Sequence, residues 1–119
     1  MLIVKEVRER VEGTWFYRKI CGETISYKIR PRSESIEKEI REENKKFGPS
    51  EIADALLDYW LEEFAGLGDE RGDPWPVNRI NKRKAISLPL PQDEQPIYEW
   101  LLDKAAALSF DVAKEEKGN

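Results

Sequence analysis

Residues 58–78 read DYWLEEFAGLGDERGDPWPVN. Up to Gly66 the apolar and acidic residues recur at helical spacing. A loop with Gly66, Gly68 and Gly72 follows. Trp75 then stands between Pro74 and Pro76, and Asn78 is placed to cap a new helix. The stretch reads as a stiff joint between two helical segments, with a large aromatic fixed at its tip. It holds no pairing of a nucleophile with a base. Function has to be sought on surfaces.

Upstream of the joint, Ser50 can cap a helix over about 50–65. On a helix Ile52, Ala53, Leu56, Trp60, Phe64 and Leu67 fall within about 120° of one another. Glu51, Asp54, Asp58 and Glu62 gather on the opposite side, and Glu63 falls inside the apolar sector. Gly48-Pro49 separates this helix from another over 34–47, capped by Ser33 or Ser35, with a thin face of Ile36, Ile40 and Phe47. Thr14–Arg18 and Thr24–Arg30 are rich in aromatic and β-branched residues and flank Cys21-Gly22-Glu23. They predict a β-hairpin over 14–30 with Ile25, Tyr27 and Ile29 on one face. Pro31 ends it. Residues 2–11 fit a helix or a strand equally.

Downstream, Val77–Leu88 opens with a helix cap, carries Arg79, Lys82, Arg83 and Lys84, and closes in the extended run SLPLP. Pro96 suits the first turn of a last helix over 95–109, with Ile97, Leu101, Ala105 and Leu108 inward and Trp100 at the stripe's edge. The expected fold is α+β: one mostly helical domain over 1–112 with an N-terminal β-hairpin and about three main helices. Ile52, Leu56, Trp60, Phe64, Leu101 and Leu108 should be buried. Residues 113–119 should form a flexible charged tail.

A chain of 119 residues fits one domain. The single Cys21 has no internal partner, and no apolar run approaches the roughly 18 residues of a membrane span. MLIVKEVRER is charged from Lys5 onward, unlike a signal peptide, so a soluble intracellular protein is expected. The absence of histidine removes Ser–His and Cys–His pairs and nearly all zinc sites. The net charge of −4 is unevenly spread: +3 over residues 1–46, −7 over 47–75, +2 over 76–95 and −2 over 96–119. Such blocks attract each other within one chain or between copies.

Asp69, Glu70 and Asp73 suggest a calcium loop, but Pro74 stands where glycine is needed and Ile80 where the last acid is needed. Asp58 and Glu62 lack a second acidic pair to complete a bundle metal site. Glu43-Asn44-Lys45 offers half of a nuclease motif without its aspartate, and the glycines lack phosphate-loop spacing. No cofactor, metal or catalytic residue is expected. The cluster Arg79–Lys84 can touch phosphates, but the acidic total and the lack of a nucleic-acid motif weigh against it. The row Asp54–Asp58–Glu62 tolerates its own repulsion if cations approach, so it is expected to dock on Arg79, Lys82, Arg83 or Lys84, in the same chain or a neighbour. Trp75, pinned by prolines, and Trp100, at a stripe's flank, are expected to form or border a partner surface.

The hairpin, helical middle, joint, Leu-Pro element and last helix resemble the small tail assembly chaperones of tailed phages and prophages. The matching positions are Phe64-Ala65-Gly66, Asp69-Glu70-Arg71-Gly72 and Trp75-Pro76-Val77-Asn78, with ISYKIRPRS upstream as the entry to the first helix. The likeness runs from about Thr14 to Ala106, and its specific part is the joint. Trp75 between prolines and the basic run after Asn78 depart from it. The resemblance implies a non-enzymatic protein of the bacterial cytoplasm. It would hold an apolar helical client, such as a tape-measure protein, and self-associate along it. A structural component of the phage particle and a small nucleic-acid-binding regulator using Arg79–Lys84 are the alternatives.

Overall fold

Cys21 and Gly22 both adopt positive φ, 52° and 82°. Two such residues form the tight turn whose twist matches a right-handed hairpin. The turn joins β1 (Thr14–Ile20) to β2 (Glu23–Ile29), paired antiparallel from Ile20↔Glu23 to Thr14↔Ile29. The computed structural model describes residues 11–117, the side chains as far as 109. Residues 2–10, whose helix-or-strand ambiguity the sequence left open, lie outside them. Ile25, Tyr27 and Ile29 share one buried face, as the alternation predicts.

After Pro31 the chain enters α1 (Glu34–Asn44), followed by a single 3-10 turn at Lys45–Phe47. Ser33 is its cap: the hydroxyl accepts from the Ile36 N–H at 3.4 Å. Gly48, at φ 95°, precedes α2 (Pro49–Trp60), so the helix starts with proline in its first turn and Ser50 lies inside it.

The helix expected over 50–65 stops at Trp60. Leu61–Ala65 form β3, which pairs antiparallel with β2 and completes a sheet of order β1-β2-β3. Ser26 lies opposite Ala65, Tyr27 opposite Phe64, Lys28 opposite Glu63, and Ile29 opposite Leu61. Glu62 is therefore an extra residue, a β-bulge. The bulge lets Leu61 and Phe64 both face the core, where both are buried. The physical reason for the correction is the free edge of β2. A strand there satisfies backbone groups that another helical turn would leave unpaired.

The joint is itself a small hairpin. The Leu67 carbonyl accepts from the Trp75 N–H at 3.0 Å, and Asp69 and Asp73 bond backbone to backbone at 2.9 Å. The Asp69 carboxylate accepts from the N–H groups of Arg71 and Asp73 at 2.9 and 3.0 Å. The acidic residue that suggested calcium thus closes a turn. Asn78 caps α3 (Arg79–Ile86), accepting from the Asn81 N–H at 2.8 Å. The extended run 87–96 leads to α4 (Ile97–Lys117). This last helix outruns its expected end at 109, so the tail expected from 113 is helical through Lys117. Residues 118–119 lie outside the described part.

This is a single α+β domain. Its core joins the inner face of the sheet to Ile36 and Ile40 of α1, Leu56, Leu57, Tyr59 and Trp60 of α2, Ala85 of α3 and Ile97, Leu101 and Ala105 of α4. Tyr27 is the link between sheet and α3. Its hydroxyl donates to the Ala85 carbonyl at 2.9 Å, and burial, opposed in part by the Arg18 charge, pushes the phenol up to about 12. Two expected core residues are only half-buried. Ile52 sits in the first turn of α2, at the rim. Leu108 lies where α4 leaves the body, one turn past the fully buried Ala105.

Candidate protein-interaction surface

Asp54 and Asp58 remain on α2, and both meet the basic helix α3 of the same chain. Lys82 Nζ lies 2.9 Å from Asp58 Oδ1 and 3.1 Å from the Asp58 carbonyl oxygen. Arg79 reaches Asp58 at 3.5 Å, and Arg83 holds Asp54 through both its Nε, at 3.1 Å, and its terminal nitrogen. The order of partners makes α2 and α3 antiparallel. Lys82 is the central contact, because only 9% of its side chain is exposed against 49% for Arg79 and 60% for Arg83. The outer pairs rely on largely exposed arginines, although Asp54 itself is only 16% exposed, and contribute about 0–1 kcal/mol each. Lys84 is exposed on the outer side of α3.

Glu62 leaves this row. Because β3 is a strand, its carboxylate crosses to the other end of the sheet, 2.8 Å from Lys28 Nζ and 3.3 Å from Arg30 Nε. It also accepts from the Gly13 N–H at 3.0 Å. Burial pushes the Glu62 carboxyl up. The Lys28 and Gly13 hydrogen bonds and the Arg30 charge outweigh it and hold the group below the usual range. Glu62 is thus a clasp that ties β3 to the start of β1, with no part in the α2–α3 contact. Glu63, placed by helical spacing in an apolar sector, is exposed.

A second polar cluster had no place among the expected sites. Glu37 of α1 is buried, with 3% of its surface exposed. It accepts from Arg32 at 2.8 and 3.2 Å, from the Ser33 N–H at 3.1 Å and from the Trp60 indole N–H at 3.3 Å. Arg32 in turn lies 5.4 Å from the Trp60 ring centroid. Burial pushes the Glu37 carboxyl up, and the hydrogen bonds from Arg32 and Trp60 outweigh it, so the group is held below its ordinary range. The one signal in the sequence was the acid four residues after the capping Ser33, one position later than a capping box would place it. All its partners are internal, so the cluster joins α1 to α2.

Trp75 and Trp100 are half-buried and pack against the core. Trp100 stands edge-on to Phe16 and Tyr27, with centroids 6.4 and 5.6 Å apart, and Arg18 lies 5.5 Å from its ring centroid. The sequence reading missed the surface beside them. Two apolar grooves meet at Leu88, in the SLPLP run. One, of about 380 Å³, is lined by Ile86, Leu88, Leu90, Pro91, Pro96 and Ile97 with Glu94 at its rim. The other, of about 350 Å³, is lined by Ile20, Ile25, Leu67, Leu88 and Pro89 with Glu23 at its rim. Trp75 is hydrogen-bonded to Leu67 of the second groove, and the Trp100 N–H donates to Pro96 of the first at 3.1 Å. Both are backbone bonds, and neither tryptophan side chain lines a groove.

Among the described residues no three Cys, Asp or Glu side chains gather as a metal site, and no helix is long and apolar enough to cross a membrane. No protein-family model, curated protein or solved structure matches the chain.

Proposed function

We propose that this chain is a non-enzymatic tail assembly chaperone of phage type. It holds an apolar helical segment of a client, such as a tape-measure protein, and self-associates. The observation that supports this reading best is the pair of apolar grooves meeting at Leu88. Pro89, Pro91 and Pro96 carry no N–H, so this lining is poorly suited to pairing with a strand. An occupant with its backbone already satisfied, an amphipathic helix, suits it. Glu23 and Glu94 at the rims favour basic residues beside the client's apolar stripe.

The charge clusters are paired within the chain. Arg79, Lys82 and Arg83 are engaged with Asp54 and Asp58, which weakens the nucleic-acid alternative built on them. A particle component would share the groove and differ in remaining in the finished virion.

Calorimetry with an apolar helical tape-measure fragment tests the reading. Leu88→Lys should reduce affinity by tenfold or more while the melting temperature stays close to the parent's. Trp75→Ala and Trp100→Ala should weaken binding as borders of the grooves. If Leu88→Lys binds at native strength, the groove is not the site. If the tryptophan variants melt many degrees lower and still bind, those two residues belong to the core.

A further inference from the structure

Among the described residues β1 is an edge strand, and its turn fixes which backbone groups point outward. In a hairpin with a two-residue turn, the flanking pair exchanges both hydrogen bonds, and bonded pairs then alternate. Ile20, Arg18, Phe16 and Thr14 therefore bond to β2. The N–H and C=O groups of Trp15, Tyr17 and Lys19 point away from it. Among the described residues, no backbone hydrogen bond reaches these groups. Their side chains share the sheet face opposite the core, and Tyr17 is 67% exposed.

We propose that β1 is a self-pairing edge through which two copies of this chain join antiparallel about Tyr17. This deepens the self-association in the proposed function and names its surface. Three observations converge on it. First, only the register centred on Tyr17 matches all three outward residues of one copy with all three of the other. Tyr17 meets Tyr17, and Trp15 meets Lys19 twice. Each such pair exchanges two hydrogen bonds, about six in all.

Second, the pairing sets no like charges directly opposite. Lys19 of each copy falls opposite Trp15 of the other on the open face, a cation beside an aromatic ring. Arg18 stays on the core side, over the Trp100 ring of its own chain. Shifting the register to centre on Lys19 would set two lysines face to face.

Third, the two-fold axis stands perpendicular to the sheet. The helices of both copies stay on one side, and the open faces form one surface with Tyr17 and Trp15 in adjoining rows. The strand pair alone is a small interface, so the dimer is weak.

Sedimentation equilibrium of the full chain, with reductant present because Cys21 is exposed, tests this. The assay contains no client, so its failure leaves client binding standing. Between about 10 μM and 1 mM the mass should climb from 13.9 kDa towards twice that value. Tyr17→Pro should stay monomeric. Its lost N–H is an outward one, so the β1–β2 ladder survives, and circular dichroism should match the parent. Tyr17→Lys should weaken association at least tenfold at low salt, with partial recovery as salt screens the opposed charges. Amide exchange at Trp15, Tyr17 and Lys19 should slow with concentration. A constant mass of 13.9 kDa at 1 mM would overturn the proposal. So would a Tyr17→Pro chain that is folded and associates like the parent. Edge amides already protected in the monomer would also overturn it, assigning the edge to another part of the same chain.

Discussion

Replacing Glu37 probes the joint between α1 and α2, and its cost can be worked from the cluster. Glu37→Ala removes the acceptor of the Trp60 indole N–H, which is buried. An unsatisfied buried donor costs about 1–3 kcal/mol. It also removes the carboxylate that accepts from the Ser33 N–H at the start of α1. Removing a capping acceptor costs about 1 kcal/mol. Arg32 loses its partner too, but 41% of its side chain is exposed, so water replaces most of that interaction. The total is roughly 3 kcal/mol, or about 10–15 °C in melting temperature for a domain of this size. Glu37→Gln keeps the shape and an acceptor for Trp60. It loses the charge, and should cost about 1–2 kcal/mol.

The pH dependence separates charge from packing. The folded carboxyl is held below its ordinary value, so the charged form is what the fold stabilises. Its contribution is fully present above the unfolded value of about 4.3 and is lost as pH falls through the lower folded value. Urea melts of the parent and Glu37→Gln should therefore differ at pH 7 and converge towards pH 3. Glu62, depressed in the same direction, is unchanged in both proteins and drops out of the comparison. A gap of equal size at pH 7 and pH 3, or no gap at either, would refute the reasoning.

Gly66 has φ 97°, and a Cβ built there would lie 2.9 Å from the Thr24 carbonyl oxygen. Gly66→Ala should cost at least about 1–3 kcal/mol in denaturant melts, and a neutral result would show that this corner can move. Asp58→Asn leaves the largely enclosed Lys82 ammonium without its counter-ion. Because Asp58 is itself partly exposed, a loss of about 1–2 kcal/mol is expected in urea melts, shrinking in high salt. Leu56→Ala should destabilise by about 2–5 kcal/mol, and a loss under 1 kcal/mol would place that face of α2 outside the core.

The elements legible in the sequence are those whose signals are local. Alternation of Ile25, Tyr27 and Ile29 reads as a strand because each residue reports its own face. Ser33 and Asn78 read as caps because their bonds close within three residues. The attraction between Asp54–Asp58 and the basic run 79–84 was legible because charge acts without knowledge of topology. The grooves at Leu88 were not, because a concave surface depends on how the SLPLP run lies against the hairpin turn and the joint, and spacing along the chain does not encode that. Nor was Glu37, whose partners Arg32 and Ser33 are local but whose deciding contact, Trp60, is 23 residues away.

β3 shows the limit most sharply. Leu61, Glu62, Glu63 and Ala65 are good helix formers, and Trp60, Phe64 and Leu67 continue the spacing of α2. Nothing local argues for a strand. Two non-local terms decide. β2 would otherwise present a second free edge, and Lys28 and Arg30 stand ready for an acid as the chain turns back. The bulge at Glu62 then shifts Leu61 and Phe64 onto the same face, three residues apart, a spacing that suits a helix and breaks strand alternation. The feature that lets β3 bury both side chains is the one that hides it from a periodicity reading. A strand made from helix-forming residues is held by its partners, so its stability depends on the Glu62–Lys28–Arg30 clasp more than on its own sequence. That coupling places the open end of the sheet, with Gly13 and the start of β1, under the control of a charge on β3.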